Sequence, residues 1–174
     1  MKYENPYHWW SIRSPDIRHT ETQQITGILS GLNMPPEKCV AIREITDAIV
    51  RHSDPKEAIY VYPHMPIFYL LADRPPFQNA VVSWFDFMSD RQAMRVAQAL
   101  RDSPPPVIVV ADLPNGVLTT HEEWFRGGRP MAQRKIMEVI DELSENGRIA
   151  EIERVPQLDG LPMVVYARTK TDPR

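Results

Sequence analysis

His121, Glu122 and Glu123 are the most concentrated set of proton-handling side chains in the sequence. An imidazole beside carboxylates can move protons or hold a divalent ion. No second histidine follows four residues on, so the paired-imidazole helix of zincins is missing. A plainer reading has Thr120 capping a short helical turn, Glu122 and Glu123 favouring its N-terminus, and Trp124 and Phe125 packing inward. His64, between Pro63 and Pro66, could donate to a phosphate or hydroxyl, or be simply half-exposed. Arg74 could clamp an anion, or be held by neighbouring Asp73. Asp86 and Asp112 stand near the ends of two further expected strands, and would reach one sheet edge if those strands ran parallel. The binding candidates are His64, Arg74, Asp112, His121, Glu123 and Arg126. His121 with Glu122 is the pair able to do acid-base work.

His64 and Arg74 lie in the stretch from Ile59 to Arg74, as do Tyr62 and Tyr69. Ile59, Tyr60, Val61 and Tyr62 have high β-propensity, and Pro63 removes a ladder donor and ends the run. Pro66 repeats the interruption. Ile67, Phe68, Tyr69, Leu70 and Leu71 then make an apolar helical turn that ends at Asp73 and Arg74. A strand, a rigid corner and a short helix result, and the carboxyl end of a strand is where α/β proteins tend to seat ligands.

The other elements are bounded largely by proline, of which there are 17. Pro35 and Pro36 suit the first turn of a helix that carries Ala41, Ile45, Ala48 and Ile49 on one face and ends near His52 to Pro55. Ala80 to Val82 suggests a second strand running into Trp84 and Phe85. Ser89 and Gln92 have the form of a capping box ahead of Ala93, Val96, Ala97 and Leu100. Val107 to Ala111, continuous and mostly β-branched, reads as a strand buried on both faces in the middle of the sheet. Asp112 to Gly128 reads as a loop-rich crossing, and Arg129-Pro130 as the opening of the longest helix, with Gly147 beyond its end. Strands at 148–155 and 163–168 flank Leu158-Asp159-Gly160 as an antiparallel hairpin. Residues 1–34 form an irregular, aromatic-rich segment, with Gly27 to Gly31 as a loop and Trp9 and Trp10 packed on the domain or set against a membrane or another chain. Residues 35–170 form the α/β domain and 171–174 a tail. The expected fold is a single three-layer α/β domain: a mixed, mainly parallel sheet with helices on both faces and a C-terminal hairpin.

Bulk properties narrow the function. At 174 residues one core is the default. A net charge of −3 provides no basic field for nucleic acid. With one cysteine, Cys39, neither a disulfide within the chain nor a thiolate metal cluster is available. No apolar run approaches a membrane span of about 20 residues. Glycine-rich phosphate loops, a GxSxG elbow and paired-histidine metal motifs are all missing, so no cofactor and no metal is expected.

Four segments together resemble a known family. YVYPHMPIFYLLADRPP, the Trp84-Phe85-Asp86 stretch, and PPPVIVV with HEEWFRGG leading into a long helix and hairpin are similar to the soluble carboxyl-terminal region of bacterial membrane glycosyltransferases of the dolichyl-phosphate-mannose-protein mannosyltransferase type. Tyr62, Pro63, Pro66, Tyr69, Leu71 and Arg74 occupy the family pattern YPxxPxxYxLxxR, and PYHWW is similar to the stretch after the last membrane span. The resemblance adds Tyr62 and Tyr69 to the binding candidates. It implies a non-catalytic accessory domain on the extracytoplasmic side of the inner membrane. Its partners would be the membrane-embedded part of the parent enzyme or the membrane surface, and a glycan or lipid-linked sugar. The family's catalytic acid lies between membrane helices that this sequence lacks, so it is not carried over. Without the resemblance the alternatives are a small cytoplasmic hydrolase or transferase using His121 and Glu122, or a protein-interaction module built on Trp9 and Trp10.

Overall fold

The computed structural model describes residues 23–24, 33–85, 87–114 and 116–170. The expectations for Trp9, Trp10, the 27–31 loop, Asp86 and the tail at 171–174 lie outside the described residues. Strands β1 (Gln23–Gln24) and β2 (Asn33–Met34) pair antiparallel inside the segment expected to be irregular. Two residues per strand are too few to show a period.

Helix α1 (Pro36–His52) starts where proline's missing N–H costs least. Glu37 in its first turn and Arg51 and His52 in its last complement the helix dipole. Strand β3 (Tyr60–Tyr62) is fully buried, and the Tyr62–Pro63 peptide that follows is cis. Helix α2 (Ile67–Ala72) ends at Asp73, whose left-handed φ of 52° closes it.

The strand expected at 80–82 is absent. Residues 75–85 instead run irregularly beside β3. Ile59 N–H donates to Pro75 O at 3.0 Å, Phe77 N–H to Ile59 O at 2.8 Å, and Ser83 N–H to Pro63 O at 2.6 Å. Gln78 and Asn79, at φ of 52° and 57°, curl the chain through a 3-10 turn (Phe77–Asn79) and deny it an extended path.

Helix α3 (Asp90–Asp102) carries the anticipated capping box: Ser89 Oγ accepts from Gln92 N–H, and the Gln92 side chain accepts from Ser89 N–H. Strand β4 (Val107–Ala111) is buried along its whole length. The region read as a loop-rich crossing is helix α4 (Gly116–Arg126), whose buried residues are Val117, His121 and Glu122. Two of those three are polar, which hides the helical period. Trp124 and Phe125, expected to pack inward, are 58% and 61% exposed. Thr120 lies inside this helix and does not cap it. Helix α5 (Gln133–Glu145) has 13 residues, so α1, with 17, is the longest helix among the described residues. The chain between Arg129 and Ala132 is tied to α4 and α3, which delays the start of α5.

Strands β5 (Ile149–Leu158) and β6 (Leu161–Arg168) pair antiparallel about Asp159-Gly160, whose φ values of 52° and 85° suit a two-residue hairpin turn. The order of the four-stranded sheet is β3-β4-β6-β5. Only β3–β4 is parallel; β4–β6 and β6–β5 are antiparallel, which corrects the mainly parallel sheet. Loss of the expected strand at 80–82 and insertion of β6 next to β4 account for the difference.

Alternate side chains of the sheet enter two apolar clusters. Val61, Val107, Val109, Met163 and Val165 join Ile42, Ile45 and Ile49 of α1 and Phe68 of α2. Tyr60, Tyr62, Ile108 and Val110 join Ala93, Val96 and Leu100 of α3 and Ile136, Val139 and Ile140 of α5. No helix among the described residues is long and apolar enough to cross a membrane.

Candidate functional site

Proline ends β3 and throws His64 beyond the carboxyl edge of the sheet, where it meets the 75–85 segment instead of open solvent. Its ring lies edge-on to Trp84 at 4.9 Å, and Trp84 stacks on Phe85 at 4.5 Å. Phe85 is 5.0 Å from His121, and His121 is 4.8 Å from Phe125. Five rings therefore run from the β3 corner to the last turn of α4. Sequence reasoning found both histidines but missed Trp84 and Phe85 as the residues that connect them. The signal was the Trp-Phe pair itself, which we read as the end of a strand.

The middle of this row is buried. His121 is 4% exposed and Phe85 7%, and Phe85 shares a small cluster with Val117 and Met131. His64 Nδ1 is buried without a hydrogen-bond partner. Burial lowers its pKa from the ordinary histidine value, and the Asp159 carboxylate partly opposes that shift.

Two of the charged candidates, Glu122 and Arg126, are engaged in ion pairs. Glu122 accepts from Arg134 Nε and Nη2, both at 2.7 Å, and from Met131 N–H at 2.7 Å. The bond to Arg134 is the main reason its carboxyl is held below the usual glutamate range, with desolvation opposing and the Met131 bond adding to the shift. A carboxylate held in this way is a poor proton acceptor. Arg126 Nη1 donates to Asp90 Oδ1 at 2.8 Å and Nη2 to Asp90 Oδ2, tying the end of α4 to the start of α3. Asp112 and Glu123 are exposed.

Arg74 is remote from the β3 exit, because α2 carries the chain back to the start of the strand. Its buried guanidinium donates to Ser53 Oγ at 2.9 Å, Ser53 O at 2.6 Å, Ala72 O at 2.7 Å and Asp73 O at 3.1 Å. The carbonyls belong to the ends of α1 and α2, where the helix dipoles favour a cation. Neither the anion clamp nor the Asp73 carboxylate pair describes this arrangement.

Tyr69 is likewise a brace: its hydroxyl accepts from Val61 N–H and donates to Ala80 O. Tyr62 is fully buried, with its hydroxyl unpartnered. Burial raises its pKa well above the ordinary tyrosine value, against a smaller opposing effect from Arg134.

Away from the rings, a groove of about 530 Å³ lies between the first turns of α1 and the end of β5, spanned by the Lys38–Asp159 ion pair. Among the described residues no three His, Cys, Asp or Glu side chains gather as a metal centre would require. Phe85 and His121 are packing, so the row offers ring surface only at its ends: the half-buried His64 and Trp84 at one and the exposed Phe125 at the other. No protein-family model, curated protein or solved structure is significantly similar to this chain.

Proposed function

We propose that the chain is a non-catalytic accessory domain of a membrane glycosyltransferase that draws its sugar from a polyprenyl phosphate, acting on the extracytoplasmic side to position acceptor or cover the active site. In this reading it is a single three-layer domain with its hairpin at one edge. The observation that carries the proposal is that Glu122 and Arg126, the charged candidates flanking the ring row on α4, are committed to internal bonds, as is Arg74 away from it. This removes the acid-base pair His121–Glu122 as a source of catalysis and supports a binding role. The residues that carry the family resemblance also serve the scaffold: Tyr62 fills the core, Tyr69 braces the sheet edge and Arg74 closes two helix ends.

A self-contained hydrolase or transferase built on His121 and Glu122 is disfavoured, because that carboxylate is saturated by Arg134 and Met131.

An antibody raised against this chain tests the proposal in the source cells. The expected native product is membrane-bound, and membranes depleted of it lose sugar transfer from a polyprenyl-phosphate donor. Recovery of a soluble product of 20.1 kDa with transferase or hydrolase activity of its own would overturn the proposal.

A further inference from the structure

The last turn of α4 runs past the core that its earlier turns cover. Val117 and His121 are buried, yet Trp124 and Phe125, seven and eight residues beyond Val117 on the same stripe, are 58% and 61% exposed. The Arg126–Asp90 pair brings a second exposed group alongside. Phe87, 78% exposed, precedes Asp90 by three residues, and Met94, 50% exposed, follows it by one helical turn. Four exposed apolar side chains thus lie within four residues of one member or the other of this ion pair, on a helix end and a turn and not on the wall of the groove between α1 and β5.

Charge distinguishes among occupants. Arg91, Arg95 and Arg129 are exposed within one helical turn along the chain from Met94 or Phe125, with Glu123 the exposed carboxylate beside Trp124 among the described residues, while Arg126 and Asp90 neutralise each other. Exposed aromatics with arginines close by in the chain suit the region just below a phospholipid headgroup: rings can enter the acyl boundary while arginines meet phosphate. Gly127 and Gly128, both at positive φ, turn the chain sharply after Arg126 and return Arg129 to the same side, where its Nε donates to Arg126 O.

We infer that this face, centred on Phe87, Trp124 and Phe125, docks on an anionic lipid bilayer. The inference deepens the proposed function by naming the surface turned to the membrane, and rests on that reading for the choice of lipid over protein.

The test is vesicle flotation of the purified chain, with phosphatidylglycerol-rich or pure phosphatidylcholine vesicles, beside F87S/F125S and R91Q/R129Q variants. The wild type is expected to float with the anionic vesicles. F87S/F125S should lower partitioning at least about tenfold. R91Q/R129Q should lower it about fivefold per arginine on anionic vesicles and leave neutral ones unchanged. Thermal melting checks that the variants stay folded. Failure of the folded wild type to float, or flotation equal to that of F87S/F125S, overturns the inference. So does a wild type whose rings instead mediate self-association or single-stranded oligonucleotide binding. Lipid docking by a chain whose native form is a soluble protein would leave this inference standing and remove the glycosyltransferase reading. A membrane-bound native glycosyltransferase whose domain ignores vesicles would do the reverse.

Discussion

The hydroxyl of Tyr69 stands where a neighbouring strand would otherwise bond to Val61. It accepts from Val61 N–H at 3.0 Å and donates to Ala80 O at 3.2 Å, so a side chain from α2 replaces a direct backbone bond between β3 and the segment beside it. β3 is an edge strand, and an edge left with unpaired donors and acceptors invites other chains. Tyr69, with the Ile59–Pro76 bridge, closes it.

Tyr69→Phe should therefore destabilise the fold by about 2 kcal/mol, since it orphans a buried N–H and a buried carbonyl together. Urea denaturation measures the loss, and amide exchange at Val61 should quicken more than at Val109. The wild type should also weaken in alkali. Burial raises the Tyr69 phenol to about 12, with the Val61 bond partly opposing. A folded-state value above the unfolded one of about 10 contributes stability that is complete below pH 10 and lost as pH rises toward 12. Urea midpoints between pH 8 and 11.5 should fall less steeply in the Phe variant.

Arg74→Lys should cost about 3 kcal/mol. A lysine ammonium cannot reproduce the planar fork that reaches Ser53, Ala72 and Asp73 together, and it leaves carbonyls at two helix ends without donors. At roughly 2–4 °C per kcal/mol for a chain of this size, the melting temperature should drop about 10 °C. An unchanged melting temperature would mean that this guanidinium does not close the helix ends.

Glu122→Gln should destabilise by about 2 kcal/mol near neutral pH, a value reduced from that of a fully buried pair because Arg134 is partly exposed. Chiefly through Arg134, the wild-type carboxyl is held below the usual range. Its contribution is therefore full above the ordinary glutamate value and is lost as pH falls through the lower folded-state value. Wild type and variant should converge in urea midpoint as pH drops below about 4.

His64 should titrate below the ordinary histidine value of about 6.5, because burial disfavours its cation. Removing the opposing carboxylate with Asp159→Asn should push the midpoint lower still. Proton NMR of the ring reads both shifts, and a rise in the Asn variant would contradict the assignment. The neutral ring's contribution is complete above pH 6.5 and lost as pH falls through the lower folded-state value.

Local chemistry was legible in the sequence wherever one short stretch contains its own cause. Proline placed the start of α1 and the corner after β3, the Ser89–Gln92 box placed α3, the β-branched run placed β4 at the sheet's centre, and Asp159-Gly160 placed the turn between β5 and β6. Helix α4 was missed because His121 and Glu122 occupy buried positions that an apolar count scores as surface. Neither an anion clamp nor a pair with Asp73 anticipates the role of Arg74, because its partners, the last carbonyls of two helices, carry no mark in the residue string.

The sequence by itself determined the mixed α/β class, the corner at Pro63 and the histidines near the site, because propensity, proline geometry and residue identity are local. Tertiary structure decided which polar groups remain free and which rings meet. Glu122 became a tether and Arg126 a clasp only once α4 was folded against α3 and α5. Trp84 and Phe85 became the link between His64 and His121 only once the 75–85 segment was laid along the edge of β3. Hydrogen-bond saturation and ring packing depend on partners distant in the chain, and those partners are selected only when the whole core closes.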